Sequence, residues 1–197
     1  LGLYSSFLDE DDARTQITVA KKNGKYGFLR GASEEITPFV YENAEEHGFD
    51  PSYLCVKERG QWGILNSDNP LKWVASPMFD TLVFDRGSYD EPKISPSFFA
   101  QRHKKWGIVS TSANIIVQMD YDTLYKVSDT LLRGCQGDSC FLINRKGERL
   151  CPCAYEISAA PLSGKKLPFS YKEGKKYGLI DERCRPISSP KFTYSPY

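Results

Sequence analysis

The stretch KERGQWGIL at residues 57–65 places a charged turn before an aromatic residue, a glycine and two aliphatic residues. The same order returns in three other segments of the chain: KKNGKYGFL at 21–29, RHKKWGIV at 102–109 and KEGKKYGLI at 172–180. The pairs of aromatic residue and glycine are Tyr26-Gly27, Trp62-Gly63, Trp106-Gly107 and Tyr177-Gly178. Self-similarity at a period of roughly 40 residues is the signature of a repeat architecture. The chain is therefore predicted to consist of copies of one small structural unit.

A fifth, weaker copy is predicted where the period falls next, in GDSCFLINRKGERLCPC at residues 137–153. We call the aligned aromatic residues of the copies the aromatic column and the glycines that follow them the glycine column. Aligning Ser139 with the aromatic column puts Cys140 in the glycine column and the following FLI in the aliphatic strand. Residues 1–13, LGLYSSFLDEDDA, are interpreted as an acidic leader or as the end of a preceding repeat. The five predicted repeats then run approximately over residues 14–50, 51–95, 96–128, 129–163 and 164–197.

The apolar segments of each copy are short, rich in β-branched and aromatic side chains, and bounded by Gly, Asn, Asp or Pro. Such segments are typical of strands joined by turns, and none keeps the period of about 3.6 residues of an amphipathic helix. We therefore predict an all-β fold of about five antiparallel three-stranded repeats. They would form a twisted β-array or, alternatively, a closed five-bladed ring like a propeller. Each copy closes on an aromatic residue, in order Tyr41, Phe79, Tyr121, Tyr155 and Phe192.

The aromatic and glycine columns are predicted to be structural. A buried indole or phenol ring contributes about 2–3 kcal/mol by covering its neighbours. The glycine that follows has no side chain, so another backbone or ring can approach it closely. Packing alone therefore explains why these aromatic residues and glycines recur, and no catalytic role is needed for them.

These residues resemble the WG-repeat family, also called KWG repeats. GQWGIL with SPMFDTL, and KKWGIV with MDYDTL, match its unit closely. KYGFL with ITPFVYENA, and KYGLID with the Pro190–Phe192 end, match it well, whereas the copy at 137–157 departs from it. The resemblance covers about residues 14 to 197. It implies a mostly bacterial, often exported or surface-associated protein with a non-enzymatic interaction role, and it supplies no catalytic residues.

The composition argues against a nucleic-acid ligand and a membrane-spanning segment. The net charge is +1, from 26 Lys and Arg against 25 Asp and Glu, so no bulk charge favours nucleic acid. No apolar run approaches the ~20 residues that a transmembrane helix requires. The chain begins at Leu1 without the apolar core of a signal peptide, which predicts a processed protein or a fragment.

The sequence lacks the common motifs of catalytic and cofactor sites. The two histidines, His47 and His103, belong to no metal-binding HExxH or H-x-E motif. A P-loop, a GxGxxG and a GxSxG are absent as well. We therefore predict that the chain is not an enzyme, with no catalytic residue, no cofactor and no metal ligand.

Four of the six cysteines lie between residues 135 and 153, and three states are open for them: free thiols, a disulfide or a metal site. Their spacing, C-x4-C-x10-C-x-C, is not that of a standard zinc site. A hairpin turn at Lys146-Gly147 would set Cys140 opposite Cys153, close enough for a disulfide. Cys135 could instead reach Cys151 or Cys140.

The other two cysteines, Cys55 and Cys184, sit in different copies of the repeat and are predicted to be ordinary packing residues. A disulfide anywhere in the chain would indicate an oxidising compartment.

Repeats with aromatic-rich exposed turns offer an extended binding surface. The chain is therefore predicted to be a non-catalytic β-repeat scaffold that binds another protein, within a larger bacterial envelope or surface assembly. The same interpretation predicts export to the periplasm or cell surface. The candidate contact segment is the insertion DRGSYDEPKISP, from Asp85 to Pro96. The alternative is recognition of a glycan or peptidoglycan by the aromatic side chains of Trp73, Tyr89 and Tyr125.

Overall fold

The computed structural model describes residues 16–31, 33–46, 53–70, 72–87, 93–150, 156–158, 169–181 and 183–194. The regular structure of these residues is entirely β, which confirms the predicted fold class. They contain no helix long and apolar enough to cross a membrane. The strands are β1 (Ile17–Lys22), β2 (Lys25–Arg30), β3 (Glu34–Glu35), β4 (Asn43–Glu46), β5 (Tyr53–Glu58), β6 (Gln61–Asn66), β7 (Trp73–Phe79), β8 (Thr81–Asp85), β9 (Ser97–Arg102), β10 (Lys105–Ser110), β11 (Ile115–Tyr121), β12 (Thr123–Lys126), β13 (Leu131–Gln136), β14 (Ser139–Asn144), β15 (Glu156–Ser158), β16 (Phe169–Glu173), β17 (Lys176–Ile180) and β18 (Pro186–Phe192).

The described strands form five small sheets of three or four strands, antiparallel in every pair whose register is defined. Their strand orders are β1-β2-β3, β4-β5-β6-β7, β8-β9-β10-β11, β12-β13-β14 and β15-β16-β17-β18. Each described sheet has two edge strands, so none closes on itself. The chain divides into two compact units, Leu1–Leu82 and Val83–Tyr197. The first unit holds the first two sheets, and the third sheet begins at the boundary between the units.

Each sheet is built around a tight hairpin at the charged turn that the sequence repeats. In the β5–β6 hairpin Glu58 pairs with Gln61, so only Arg59 and Gly60 form the turn. Both of these residues have positive φ, which matches the right-handed twist of the strands. His103 and Lys104 take the same conformation in the β9–β10 turn. His103 therefore has a structural role as a turn residue with positive φ.

A short strand after the closing aromatic residue adds a fourth member to most of the sheets. This strand pairs with the hairpin of the following copy, as β4 does with β5 through Asn43 and Lys57. In the same way β12 pairs with β13 through Thr123 and Cys135. The sheets therefore begin just after the closing aromatic residue, and their boundaries differ from those of the three-stranded repeats that the sequence predicts.

In three of the described sheets the glycine column lies opposite a bulge in the outer strand. In the β10–β11 pair Trp106 is opposite Tyr121 and Ile108 is opposite Val117, so two extra residues of β11 face Gly107. A Cβ at Gly107 would lie 2.5 Å from the Val117 carbonyl oxygen, closer than any real Cβ contact. The same bulge recurs between β6 and β7 and between β17 and β18. The glycine is therefore required by the approach of the outer strand.

The closing aromatic residues pair directly with the aromatic column. The partners across the strands are Tyr26 with Tyr41, Trp62 with Phe79, Trp106 with Tyr121, and Tyr177 with Phe192. Tyr155 lies outside the described residues. In the three sheets that have the bulge, this pairing sets the register of the outer strand at one end, so the bulge falls at the same place in each of them.

The hydrophobic core lies between successive sheets of each unit. In the first unit Phe28, Leu54 and Val56 are buried between the first two sheets. In the second unit one cluster joins β9, β10 and β11 to β12, β13 and β14, and a second joins β13 and β14 to β16 and β17. Each sheet thus covers the apolar face of its neighbour within its unit.

The fourth copy departs from the sequence alignment by one position. Its hairpin turn is Gly137-Asp138, so Cys140, and not Ser139, occupies the aromatic column. Phe141 then stands in the glycine column, and the small residue moves across the hairpin to Gly134, its direct partner. A Cβ at Gly134 would lie 2.5 Å from the Tyr121 ring. The glycine of this copy therefore accommodates a ring from the preceding sheet, whereas the column glycines of the three sheets with a bulge face the outer strand of their own sheet.

The predicted disulfide between Cys140 and Cys153 is wrong, because Cys140 is bonded to Cys135. Cys135 and Cys140 are direct partners next to the β13–β14 turn, with Cα atoms 4.1 Å apart. The turn at residues 145–147 also has a different register from the one predicted, since Ile143 pairs with Arg149. Cys153 and Cys151 lie outside the described residues.

The remaining cysteines separate into two states. Cys55 is a buried thiol outside any disulfide, and burial followed by the charge of Glu45 raises its pKa to about 12. Cys184, predicted to be an ordinary packing residue, is buried but is also disulfide-bonded. The chain therefore contains both an inert thiol and oxidised cysteines.

Candidate functional site

An acidic residue follows the closing aromatic residue, and in two sheets it caps the next hairpin turn. The Gly60 amide donates a hydrogen bond to Glu42 Oε2 at 2.9 Å. Likewise the Gly137 amide donates to Asp122 Oδ2 at 2.8 Å, while Lys105 Nζ lies 2.5 Å from Asp122 Oδ1. The hydrogen bond from Lys105 and then that from Gly137 hold the pKa of the Asp122 carboxyl below its ordinary value. The Glu42 and Asp122 carboxylates therefore have a structural role, which is to cap the hairpin turns.

Replacing Asp122 with asparagine is expected to speed hydrogen exchange of the Gly137 amide a few-fold, because the amide loses a charged acceptor. Exchange followed residue by residue by NMR near neutral pH measures this effect. Asp138→Asn in the same turn is the matched control and should leave the Gly137 rate unchanged. Equal rates in Asp122→Asn and in the unaltered protein would show that the cap does not hold the turn.

A buried ionic cluster joins two sheets of the second unit. Asp85, at the end of β8, is 10% exposed, and Arg145, which follows β14, is 13% exposed. Arg145 Nη2 lies 2.5 Å from Asp85 Oδ2 in the geometry of an ion pair rather than an aligned hydrogen bond. Lys126 Nζ lies 3.0 Å from Asp85 Oδ1 and 2.8 Å from Asp129 Oδ1. The cluster holds two acids and two bases, so its charges balance.

The pKa of the Asp85 carboxyl reports the balance between burial and these cations. Burial would raise this pKa, but Lys126 and Arg145 outweigh burial and hold it below its ordinary value. Asp85 is therefore a charged carboxylate near neutral pH, and its closest cations are already engaged with it. This arrangement suits a structural link between sheets better than acid–base chemistry.

The outer strand β11 carries two neighbouring exposed aliphatic side chains. Ile115 is 56% exposed and Ile116 is 39% exposed. Ile116 is an extra residue in a second bulge of β11, since Ile108 is opposite Val117 and Val109 is opposite Ile115. Val117 is buried, and a Cβ added at Gly147 would lie 3.7 Å from its Cα. We call Ile115 and Ile116 the β11 patch.

Proline distinguishes β11 from the other outer strands of four-stranded sheets. Pro77 lies in the bulge of β7 and Pro190 in that of β18, whereas Met119 holds the same position in β11. Proline removes a backbone donor and commonly blunts an edge strand. The edge strand β11 keeps its backbone N–H donor at Met119. Ile116 is exposed on this strand, and Ile187 is exposed at the equivalent position of β18. The β11 patch was not predicted from the sequence, although the sequence shows Met119 where the equivalent strands have proline.

The residues predicted from the sequence to contact a partner fall in different environments. Asp85 begins the predicted contact segment but is buried in the ionic cluster. Trp73 packs against the first-unit core, with its ring edge-on to Tyr41 at 6.4 Å. Tyr125 is 56% exposed, and Tyr89 lies outside the described residues. Of the three predicted aromatic platform residues, Tyr125 is thus the one that the structure places at the surface.

The described residues contain no candidate site for a metal ion or for histidine chemistry. Among them no three His, Cys, Asp or Glu side chains are close enough to hold a metal ion. His103 lies in the β9–β10 turn, and His47 is outside the described part of the chain.

No family model and no curated protein matches the chain. Among solved structures it is similar to KlHsv2 with loop 6CD replaced by a Gly-Ser linker, at 10% identity and a TM-score of 0.45, covering 89% of this chain and 62% of that chain. It is also similar to a chain in the S. cerevisiae structure of Dbp5 bound to Nup159, Gle1, IP6 and ADP, at 10% identity and a TM-score of 0.38, covering 85% and 50%. The chain spans less than two thirds of either.

Proposed function

We propose that the chain is a non-catalytic β-repeat scaffold that binds another protein, within a larger bacterial envelope or surface assembly. The observation that carries this proposal is the β11 patch, where Ile115 and Ile116 are exposed at an edge strand. Burying such aliphatic side chains contributes about 1.5–3 kcal/mol each, and an edge strand offers unpaired backbone groups to a partner.

The described ionisable groups support a binding role over a catalytic one. The Asp122 carboxylate is held by Lys105 and the Gly137 amide, and the Asp85 carboxylate by Lys126 and Arg145. The Cys55 thiol is buried and has a pKa of about 12, so it is not a nucleophile near neutral pH. The groups with shifted pKa values therefore stabilise the fold.

An affinity experiment with the full chain tests the proposal. The double variant Ile115→Asp and Ile116→Asp is expected to lower recovery of a stoichiometric partner by at least about tenfold, since tenfold corresponds to only 1.4 kcal/mol. Recovery is measured by quantitative mass spectrometry after purification from the native source, with thermal unfolding as a check on folding.

Val40→Asp is the matched control, because Val40 is a branched aliphatic residue that is 53% exposed in the first unit. It should leave partner recovery unchanged. If the double variant keeps its partner, the β11 patch is not the binding surface. If both variants lose the partner equally, added negative charge and not the patch is responsible.

We also propose that the chain functions in an oxidising compartment outside the cytoplasm. The support is the Cys135–Cys140 disulfide together with oxidised Cys184, since such bonds form and persist in secreted, periplasmic and surface proteins. Cell fractionation after thiol labelling tests the location. Reduced Cys135 and Cys140 in the native protein would contradict it.

Recognition of a glycan or peptidoglycan is the second candidate function. It rests on Tyr125, whose exposed ring lies on β12 directly opposite Arg133. An amphipathic ring at the surface can stack on a sugar. Binding to a glycan array that Tyr125→Ala abolishes would favour this function over the protein scaffold.

A further inference from the structure

The Cys135–Cys140 disulfide closes the β13–β14 hairpin at a position suited to such a bond. Gln136 and Ser139 flank the two-residue turn, so the next pair, Cys135 with Cys140, is the closely spaced, non-hydrogen-bonded kind. The backbone agrees, because the Cys135 carbonyl faces away from β14 and accepts a hydrogen bond from the Asp122 amide at 2.8 Å. The two side chains therefore share one face of the hairpin.

The two sulfur atoms lie in unlike surroundings. Cys135 is 8% exposed, whereas Cys140 is half-buried. Arg133 lies on the same face of the hairpin, and its Nη2 is 3.4 Å from Cys140 Sγ. The Arg133 Nε is buried and has no hydrogen-bond partner in the structure. A guanidinium with spare donors thus lies beside the more exposed of the two cysteines.

We propose that Cys140 is a site of reversible exchange with low-molecular-weight thiols. A thiolate attacks Cys140 Sγ, a new S–S bond forms to Cys140, and the bond to Cys135 breaks. The electron pair goes to the Cys135 sulfur, which takes a proton from solvent. A second thiol then attacks the sulfur of the small molecule, releases that molecule as a disulfide, and leaves the electron pair on Cys140 Sγ. The net change is the reduction of one protein disulfide by two thiols.

Arg133 favours this direction of attack by its charge. The guanidinium attracts the incoming thiolate to Cys140. In the second step it stabilises the electron pair that develops on Cys140 Sγ as the small-molecule disulfide leaves. Access acts in the same sense, since Cys135 is shielded by its neighbours. Cys55 provides the contrast within the same chain, because it is buried and lies near the charge of Glu45, both of which disfavour its thiolate.

The exchange has a structural consequence, because Cys140 stands in the aromatic column. The other sheets hold an aromatic residue at this position, buried in the case of Trp62 and half-buried in the cases of Tyr26, Trp106 and Tyr177. In the fourth copy a reducible bond replaces the ring. The β13–β14 hairpin is thus the element whose stability would respond to thiols.

Adduct mapping on the unaltered full chain tests the site of attack. After exposure to excess reduced glutathione and acid quenching, fragment-ion mass spectrometry is expected to place a single glutathione adduct on Cys140. An adduct on Cys135, or no adduct at Cys140 and no reduction of the bond, would overturn the proposal. Cys55 should remain unmodified in the native protein.

Single-cysteine variants of the pair test the role of Arg133. In Cys135→Ser the free Cys140 should react with iodoacetamide at pH 7 about tenfold faster than the free Cys135 in Cys140→Ser, since an unperturbed thiol has a pKa of about 8.5. Adding Arg133→Met to Cys135→Ser should slow the reaction several-fold, and Arg133→Lys should restore most of it. Equal rates in the two single variants, or no effect of Arg133→Met, would contradict the assignment.

Discussion

Replacing Gly107 with alanine is expected to lower the free energy of unfolding by about 3 kcal/mol, the upper part of the range for overpacked sites. The added Cβ would lie 2.5 Å from the Val117 carbonyl oxygen and 2.8 Å from Met119 Cγ. The Met119 side chain can move, but the Val117 carbonyl belongs to the bulge that sets the register of β11. Denaturant unfolding followed by intrinsic fluorescence measures the loss.

Gly27→Ala is the matched control, because Gly27 holds the same position in the first sheet. Its Cβ would lie 3.1 Å from the Pro38 carbonyl oxygen, a contact that a shift of a few tenths of an ångström relieves. We expect a loss of about 1 kcal/mol or less at this site. Equal losses at Gly107 and Gly27 would mean that the bulge does not determine the cost.

The central hairpins could be predicted from the sequence because their determinants are local. In the β5–β6 hairpin a charged turn with a glycine joins two strands that contain the alternating apolar positions, all within residues 57–65. A turn of two residues sets the register of the strands on either side of it. The aromatic column followed from the same register.

The additional strands were harder to predict, because their partners lie outside their own copy. Residues 123–126 form β12 by pairing with β13, which belongs to the next predicted repeat. A segment of four residues carries little propensity of its own. The contacts of Asp122, the residue just before β12, determine the position of this strand. The Asp122 amide donates a hydrogen bond to the Cys135 carbonyl, and the Asp122 carboxylate accepts one from the Gly137 amide. These contacts follow from tertiary structure rather than from local pattern.

The one-residue error in the fourth copy has a specific physical cause. The alignment placed the small residue of the pair after the turn, as in the other copies, whereas the structure has it before the turn at Gly134. The turn at Gly137-Asp138 sets the register of the hairpin, and Gly134 opposite Phe141 is small enough to accept the Tyr121 ring of the preceding sheet. That shift makes Cys135 the partner of Cys140.

The ionic cluster shows why charged sites within such a fold resist prediction from sequence. Asp85 stands at the start of an insertion that reads as a surface loop, and Arg145 stands in a charged turn sixty residues later. Neither position carries a hydrophobic period that would indicate burial. Their contact depends on how two sheets of the second unit face one another.

Replacing Asp85 with alanine is expected to lower the free energy of unfolding by about 3–5 kcal/mol, the range for breaking a buried ion pair. The variant leaves the Arg145 guanidinium, 13% exposed, and the partly buried Lys126 ammonium without their shared carboxylate. Denaturant unfolding at neutral pH measures the loss. Lys22→Ala is the control, because its partner Glu35 is about half exposed and such surface pairs contribute about 0–1 kcal/mol.

The pH dependence of unfolding separates the charge of Asp85 from its packing. Because its pKa is lower in the folded chain than in the unfolded chain, its stabilisation is present above the unfolded value of about 3.9 and is lost as pH falls through the folded value. Asp85→Asn should therefore be less stable than the unaltered protein at pH 7, and the difference should shrink as the pH falls below about 4. Adding Arg145→Met to Asp85→Leu should recover much of the loss, since an apolar pair of similar volume can replace a buried ion pair. A difference that stays constant with pH would mean that the carboxylate acts by its shape alone.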